Sequence, residues 1–211
     1  MTSAVFDSAC RRCVRLAGFL DQVKQQYPDY FCRPVPAFGA PDPGLLVVGL
    51  APGMHGANAT GRPFTGDHAG ILLYRTLHKY GFASASESTS GEDGLRLMDC
   101  RITNAVKCLP PQNKPSGAEI KQCREYLCSE LNGFRDGGVV LALGSIAHRS
   151  VVAAFGQRQK EAVFGHGQEH AMPRGITLID SYHCSRYNTQ TRRLTTAMFE
   201  QVFARARALL D

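Results

Sequence analysis

The stretch LLVVGLAPGMHGANATGRPFTGDHAG, residues 45–70, decides how this chain is read. It opens on a short apolar run, 45–50, of the kind expected for a strand buried on both faces of a parallel sheet. Residues 49–70, from the end of that run into the next helix, hold six glycines and two prolines. After this loop, AGILLYRTLHKYGF carries apolar residues at helical spacing and stops at Gly81. Strand, glycine-rich loop and helix in that order are one half of an α/β unit.

Further units lie on either side. Apolar runs at 100–106, 138–143 and 176–180 read as three more strands. Helices are expected over 116–131, where Glu119 stands at the capping-box offset from Ser116, and over 145–155 and 192–210. Upstream, 5–26 reads as a polar, basic helix, joined to the first strand by the proline-rich RPVPAFGAPDPG. Residues 84–94 read as a polar, mobile loop, and SYHCSRYNTQT as the loop after the fourth strand. Alternating strands and helices imply a parallel sheet covered on both faces. The length of 211 residues matches one domain, 1–211. The N-terminus has no apolar run of signal-peptide length, and no segment reaches the 18 or so apolar residues of a membrane span. The expectation is a cytoplasmic protein with no membrane partner.

The net charge of +6 leans towards an anionic partner such as nucleic acid or a phosphorylated small molecule. Its positive residues gather at Arg11, Arg12 and Arg15, at Lys121 and Arg124, and in RYNTQTRR. In an α/β sheet, ligands bind beyond the carboxyl ends of the strands. That rule selects the loop from Gly49, Asn104 with KCLPP, Gly144-Ser145, and His183 with its neighbours. The loop is neither a phosphate-binding Walker sequence nor a dinucleotide fingerprint, because the required lysine and the G-x-G-x-x-G spacing are missing. Phe64 is either a core plug or a stacking platform. Asp67 either caps the helix from His68 or activates water. Asn104 is either a turn former or a reader of a pyrimidine edge, since its amide offers both a donor and an acceptor.

Eight cysteines are many for a reducing compartment, where disulfides are rare. Cys10 and Cys13, spaced to share one helical turn, and Cys108 and Cys123, with fourteen residues between them, can close a tetrahedral set around zinc or an iron–sulfur cluster. The alternative is four unrelated buried thiols. Cys32, Cys100, Cys128 and Cys184 read as structural.

GLAPGMHGANATGRPFTGD, ITNAVKCLPPQNKP and HCSRYNTQTRRLT, in this order, resemble the uracil-DNA glycosylase superfamily, and within it the iron–sulfur-containing family 5. The resemblance runs from Cys10 to the last helix. It implies a three-layer α/β/α sandwich around a four-stranded, mainly parallel sheet. It also implies a [4Fe–4S] cluster on Cys10, Cys13, Cys108 and Cys123, and DNA containing uracil or other deaminated bases such as hypoxanthine as partner, bound by a monomer. Carried onto this sequence, Asp67 and His183 become catalytic. Gly49, Leu50, Ala51, Gly53, His55, Asn58, Phe64, Asn104 and Asn188 become the base pocket, and Ser185, Arg186, Tyr187 and Gln190 the DNA contacts. Leu50 stands where family 4 has an acidic residue, and Cys184 replaces a proline in the last motif. Two other classes compete: a non-catalytic DNA-binding or damage-sensing protein of the same fold, and a zinc-bound nucleotide-binding module.

Overall fold

The computed structural model describes residues 5–211. Two all-apolar strands lie at its centre, β2 (Leu45–Gly49) and β4 (Val139–Leu143), buried at every position. They pair in parallel, flanked in parallel by β3 (Cys100–Asn104) and β6 (Thr177–Ser181). Short antiparallel strands close both edges, β1 (Phe38–Gly39) beside β3 and β5 (Glu169–Ala171) beside β6. The order is β1-β3-β2-β4-β6-β5. The sheet therefore has six strands rather than the four expected. The two extra strands are only two and three residues long, too short to show an alternating pattern.

Successive side chains of a strand point to opposite faces, and both faces are covered. Leu45, Val47, Leu141 and Ile179 meet α3 (His68–Lys79) and α7 (Thr196–Leu210). Leu46, Val48, Val140, Ala142 and Leu178 meet α4 (Gly117–Asn132) and α5 (Ser145–Ala154). These are the three layers. No helix of the described residues is long and apolar enough to cross a membrane.

Local chemistry sets the helix ends. Ser116 and Glu119 form the expected capping box, with Ser116 Oγ accepting from Glu119 N at 3.2 Å and Ser116 N donating to Glu119 Oε2 at 2.7 Å. The last helix starts at Thr196 rather than 192, because Thr195 caps it and Arg192 is in the left-handed region at φ +57°. The first helix, α1 (Val14–Gln26), is also shorter than expected. Asp7 turns the preceding chain, accepting from Ala9 N on its side chain and from Cys10 N on its carbonyl. Cys10 therefore closes that turn and Cys13 is the N-cap of α1, so the two do not share one helical turn. Two short helices, α2 (Ala57–Thr60) and α6 (Arg186–Gln190), occupy segments read as loop.

The segment 84–94, expected to be mobile, is tied down. Arg62, 7% exposed, donates to Asp93 Oδ1 at 2.5 Å, to Gly91 O at 2.5 Å and to Ser88 Oγ at 3.2 Å. Asp93 also accepts from the backbone of Thr89, Ser90 and Leu95. Burial works against its charge, but Arg62 and these N–H groups hold its carboxyl well below the usual carboxylate range.

Candidate active site

The carboxyl ends of β2, β3 and β6 open into a cleft of about 390 Å³, whereas Gly144 and Ser145, after β4, line a separate neighbouring pocket. It is lined by Leu50, Ala51, Gly53, Phe64, Asp67 and Asn104, and by His183, Ser185 and Arg186. His68, Ala69 and Asn113 complete it; the sequence reading did not select these three.

The glycines of the first loop make room for side chains. Gly49 and Asn104 are partners in the β2–β3 register. A Cβ on Gly49 would lie 2.7 Å from the Phe64 ring and would overlap Asn104 Oδ1. A Cβ on Gly53 would lie 2.5 Å from Asp67 Oδ1, and one on Gly56 would overlap the same carboxylate. Phe64 itself is non-glycine at φ +57°, a conformation costing on the order of 1–3 kcal/mol. Tyr74 Oη donates to Pro63 O at 2.7 Å and Thr65 Oγ1 meets Ser88 Oγ at 2.6 Å, which holds the strained turn from both sides. The Phe64 ring is thereby set nearly parallel to the His183 imidazole, centroids 5.9 Å apart and planes at 28°.

Asp67 occupies the N-cap position of α3, yet its side chain makes no capping bond. The carboxylate turns towards the loop instead and accepts from Ala57 N at 3.4 Å. Burial raises its pKa, partly offset by the Ala57 N–H and by His55. Asn104 is 3% exposed, and its Oδ1 is a buried acceptor without a hydrogen-bond partner. Burial pushes the His183 pKa down to about 4, so the ring is neutral at pH 7. The turn carrying His183 is fastened by Asn188, whose Nδ2 donates to His183 O at 2.8 Å, and by Ser185 Oγ, which accepts from Asn188 N. Cys184 is wholly buried beneath this turn.

Other candidates stand apart from the cleft. His55 is exposed, its Nδ1 2.9 Å from Tyr30 Oη. Asn58 is fully buried and donates to Cys32 Sγ at 3.5 Å, because α2 turns it inward. Asn188 fastens the turn from outside, and Tyr187, 70% exposed, and Gln190 lie on the outer side of α6. The basic groups divide in the same way. Arg11, Arg12 and Arg15 are paired with Asp21, Glu125 and Glu119. Arg186 borders the cleft and Arg193 lies over the Tyr182 ring at 4.7 Å; neither has a carboxylate partner among the described residues.

Cys10, Cys13, Cys108 and Cys123 surround a second small cavity with Arg12, Lys107 and Tyr126. The Cys108 thiol is pushed up to about 12 by burial and by the three neighbouring cysteines. Arg12 Nε donates to Cys10 Sγ at 3.5 Å and Lys107 N to Cys123 Sγ at 3.3 Å. Among the described residues no three of these sulfurs lie within 4.8 Å of one another. A single zinc with bonds of about 2.3 Å needs sulfurs about 3.8 Å apart. The set is too open for one ion, and its N–H···S donors suit a larger, anionic group.

The uracil DNA glycosylase superfamily profile matches residues 36–207. This chain belongs to the uracil-DNA glycosylase superfamily. It is 45% identical to the type-5 uracil-DNA glycosylase of Thermus thermophilus, over 96% of this chain and 94% of that one. The type-5 enzyme of Pyrobaculum aerophilum is 40% identical, over 94% and 88%. That of Mycobacterium tuberculosis is 39% identical, over 96% and 78%. These relatives place the chain in the type-5 group of the superfamily.

Proposed function

We propose that this protein is a DNA glycosylase that hydrolyses the N-glycosidic bond of uracil in DNA, and of other deaminated bases such as hypoxanthine, leaving an abasic site. The observation that carries the reading is the buried, unpartnered Asn104 Oδ1 in the cleft. A buried acceptor without a donor costs about 1–3 kcal/mol. The N3–H of uracil is a donor of the right kind, and cytosine, which has a lone pair there, is not.

In this reading the flipped base enters the cleft and stacks on Phe64. Bond breakage leaves negative charge on the base and positive charge on the sugar. Neutral His183 donates a hydrogen bond to the O2 position, where the negative charge grows. Asp67, held over Gly53 and Gly56, lies where a carboxylate positions water or stabilises the cationic sugar. Ser185, Arg186 and Gln190 contact phosphates, with Arg186 free of any carboxylate partner among the described residues, and exposed Tyr187 enters the duplex beside the flipped nucleotide. A cleft of about 390 Å³ leaves room for a two-ring base.

The cysteine set, too open for one zinc, supports a [4Fe–4S] cluster on Cys10, Cys13, Cys108 and Cys123. Bound there it supplies a structural tie between the segment before α1 and the loop after β3. The protein works as a single domain and a monomer in the cytoplasm; light scattering on the holoprotein checks the monomer. The test of function is a set of duplexes containing uracil, hypoxanthine, xanthine or ethenocytosine, each incubated and then treated with alkali. Strand breaks at uracil are expected, with a smaller loss in Asp67→Asn than in His183→Ala. A protein that binds these duplexes and leaves no alkali-labile site is a non-catalytic damage sensor.

A further inference from the structure

Away from the cleft, three ligand-bearing side chains from three elements converge on one buried point. Asp180, on β6, is wholly buried. Its Oδ1 lies 2.7 Å from His148 Nδ1 on α5, and its Oδ2 lies 3.0 Å from His170 Nε2 on β5. These atoms form the one set of three within 4.8 Å of one another among the described residues. The two histidines are the only basic side chains paired with Asp180 there. A buried carboxylate without compensating positive charge is costly. Gly165 N also donates to Asp180 Oδ2 at 3.2 Å, but a neutral N–H does not offset a full charge, so the compensating positive charge resides on this cluster.

The surroundings of His148 restrict where that charge sits. Its Nε2 stands 2.8 Å from Ala162 O, an acceptor with no hydrogen, so Nε2 carries a proton. In that tautomer Nδ1 turns a lone pair towards Asp180 Oδ1. Two lone pairs do not share a gap of 2.7 Å, so a cation lies between them. It is either a second ring proton or a metal ion shared with His170.

The arrangement favours the metal. Two imidazole nitrogens and a carboxylate are the donor set of zinc-type sites rather than of magnesium or calcium. A backbone carbonyl accepting the far N–H of a metal-bound imidazole is the usual outer partner, and Ala162 O is in that place. Phe164 packs edge-on against His148, centroids 5.6 Å apart, and shields it. The His170 side chain, 12% exposed on the edge strand, leaves a way in. Metal bonds of about 2.0–2.1 Å set N···O contacts near 3.3 Å, so loading moves the ligands apart by a few tenths of an ångström. We propose that His148, His170 and Asp180 bind one divalent transition-metal ion of the zinc type, with its remaining position open to water. The ion fastens α5 and β5 to β6, three residues before His183. The proposal does not depend on the glycosylase reading.

The test uses the iron-loaded protein, equilibrated with one equivalent of zinc sulfate, desalted, and analysed for zinc and iron by plasma mass spectrometry. The expected result is about one retained zinc per chain with iron unchanged. His148→Gln keeps its iron and loses zinc affinity by about tenfold or more. Zinc also raises the melting temperature of the wild type and not of the variant. Should His148→Gln fail to fold, His170→Gln, at the accessible edge, gives the same comparison. Zinc retained equally by the variants sits at the cysteines and overturns the proposal. So does a wild-type protein that keeps no zinc, with nitrogen chemical shifts showing His148 doubly protonated.

Discussion

At the residue scale, the glycines of residues 45–70 are the informative positions. Their density suggests a loop pressed against a phosphate, but Gly49, Gly53 and Gly56 instead clear space for Phe64, Asn104 and Asp67. Gly49→Ala inserts a methyl where the ring and the amide already meet. We expect a loss of about 1–3 kcal/mol of stability from overpacking. Single-turnover excision of uracil should fall about a hundredfold, the cost of shifting a positioned group by roughly an ångström. An unchanged rate would show that Asn104 and Phe64 do not need their present positions. Neutral His183 leads to a second expectation. Its folded pKa, about 4, is below the value of about 6.5 in the unfolded chain. The unfolded state thus binds more protons between these values. Its contribution to stability is fully present above about 6.5 and lost as pH falls towards 4. The catalytic form persists over the same range, so wild-type single-turnover rates should show no fall near pH 6.5 attributable to this ring. An acid limb centred there, absent from His183→Gln, contradicts a neutral donor. Strand ends plus the family resemblance were enough to select Phe64, Asn104, Asp67 and His183. Asn113 was missed because it lies nine residues past its strand, brought to the cleft by consecutive left-handed residues, Gln112 and Asn113. His55 and Asn58 were selected as sequence neighbours of the pocket, but α2 turns Asn58 inward onto Cys32, and His55, just before α2, is exposed beside Tyr30 and acts on Asp67 only through its charge.

At the element scale, the four long strands and the capping box of α4 were legible because periodicity and a side-chain partner both leave marks in sequence. The edge strands were not, since two or three residues carry no period. The 84–94 segment was misread for a different reason: its polar residues look solvated, but their partner, Arg62, is 22 or more positions upstream. Arg62→Met removes the cation from a pair whose side chains are 9% and 13% exposed. Leaving Asp93 buried without it should cost about 3 kcal/mol in urea unfolding. Adding Asp93→Asn to that variant should recover part of the loss, because the orphaned charge is then gone. Full additivity of the two substitutions would mean that the pair does not act as a unit.

At the scale of the whole molecule, two separate tasks share one sheet: the carboxyl ends of its strands build the cleft, while the proposed cluster would join the chain before β1 to the loop after β3 and to α4. That division predicts what iron removal does. Without the cluster, α1 is held by Leu16, Leu20 and Val23 packing near Tyr126, by the solvent-exposed Arg12–Glu125 pair and by Arg15 on the largely buried Glu119 carboxylate. An exposed pair contributes about 0–1 kcal/mol. The main sheet, covered by α3, α7, α4 and α5, has its own core and does not pass through the cysteines. Chelating the iron should therefore loosen the N-terminal segment first. Limited proteolysis of the apo protein is expected to cut before residue 36 and between 108 and 123, while the fragment carrying β2, β4 and β6 resists. Asn113 lies inside the second of those segments and lines the cleft, so DNA affinity should fall together with the new cleavage rather than after global unfolding. Simultaneous digestion of all segments would instead make the cluster part of one cooperative core. An apo protein cut no faster than the holoprotein would leave the four cysteines as ordinary buried thiols.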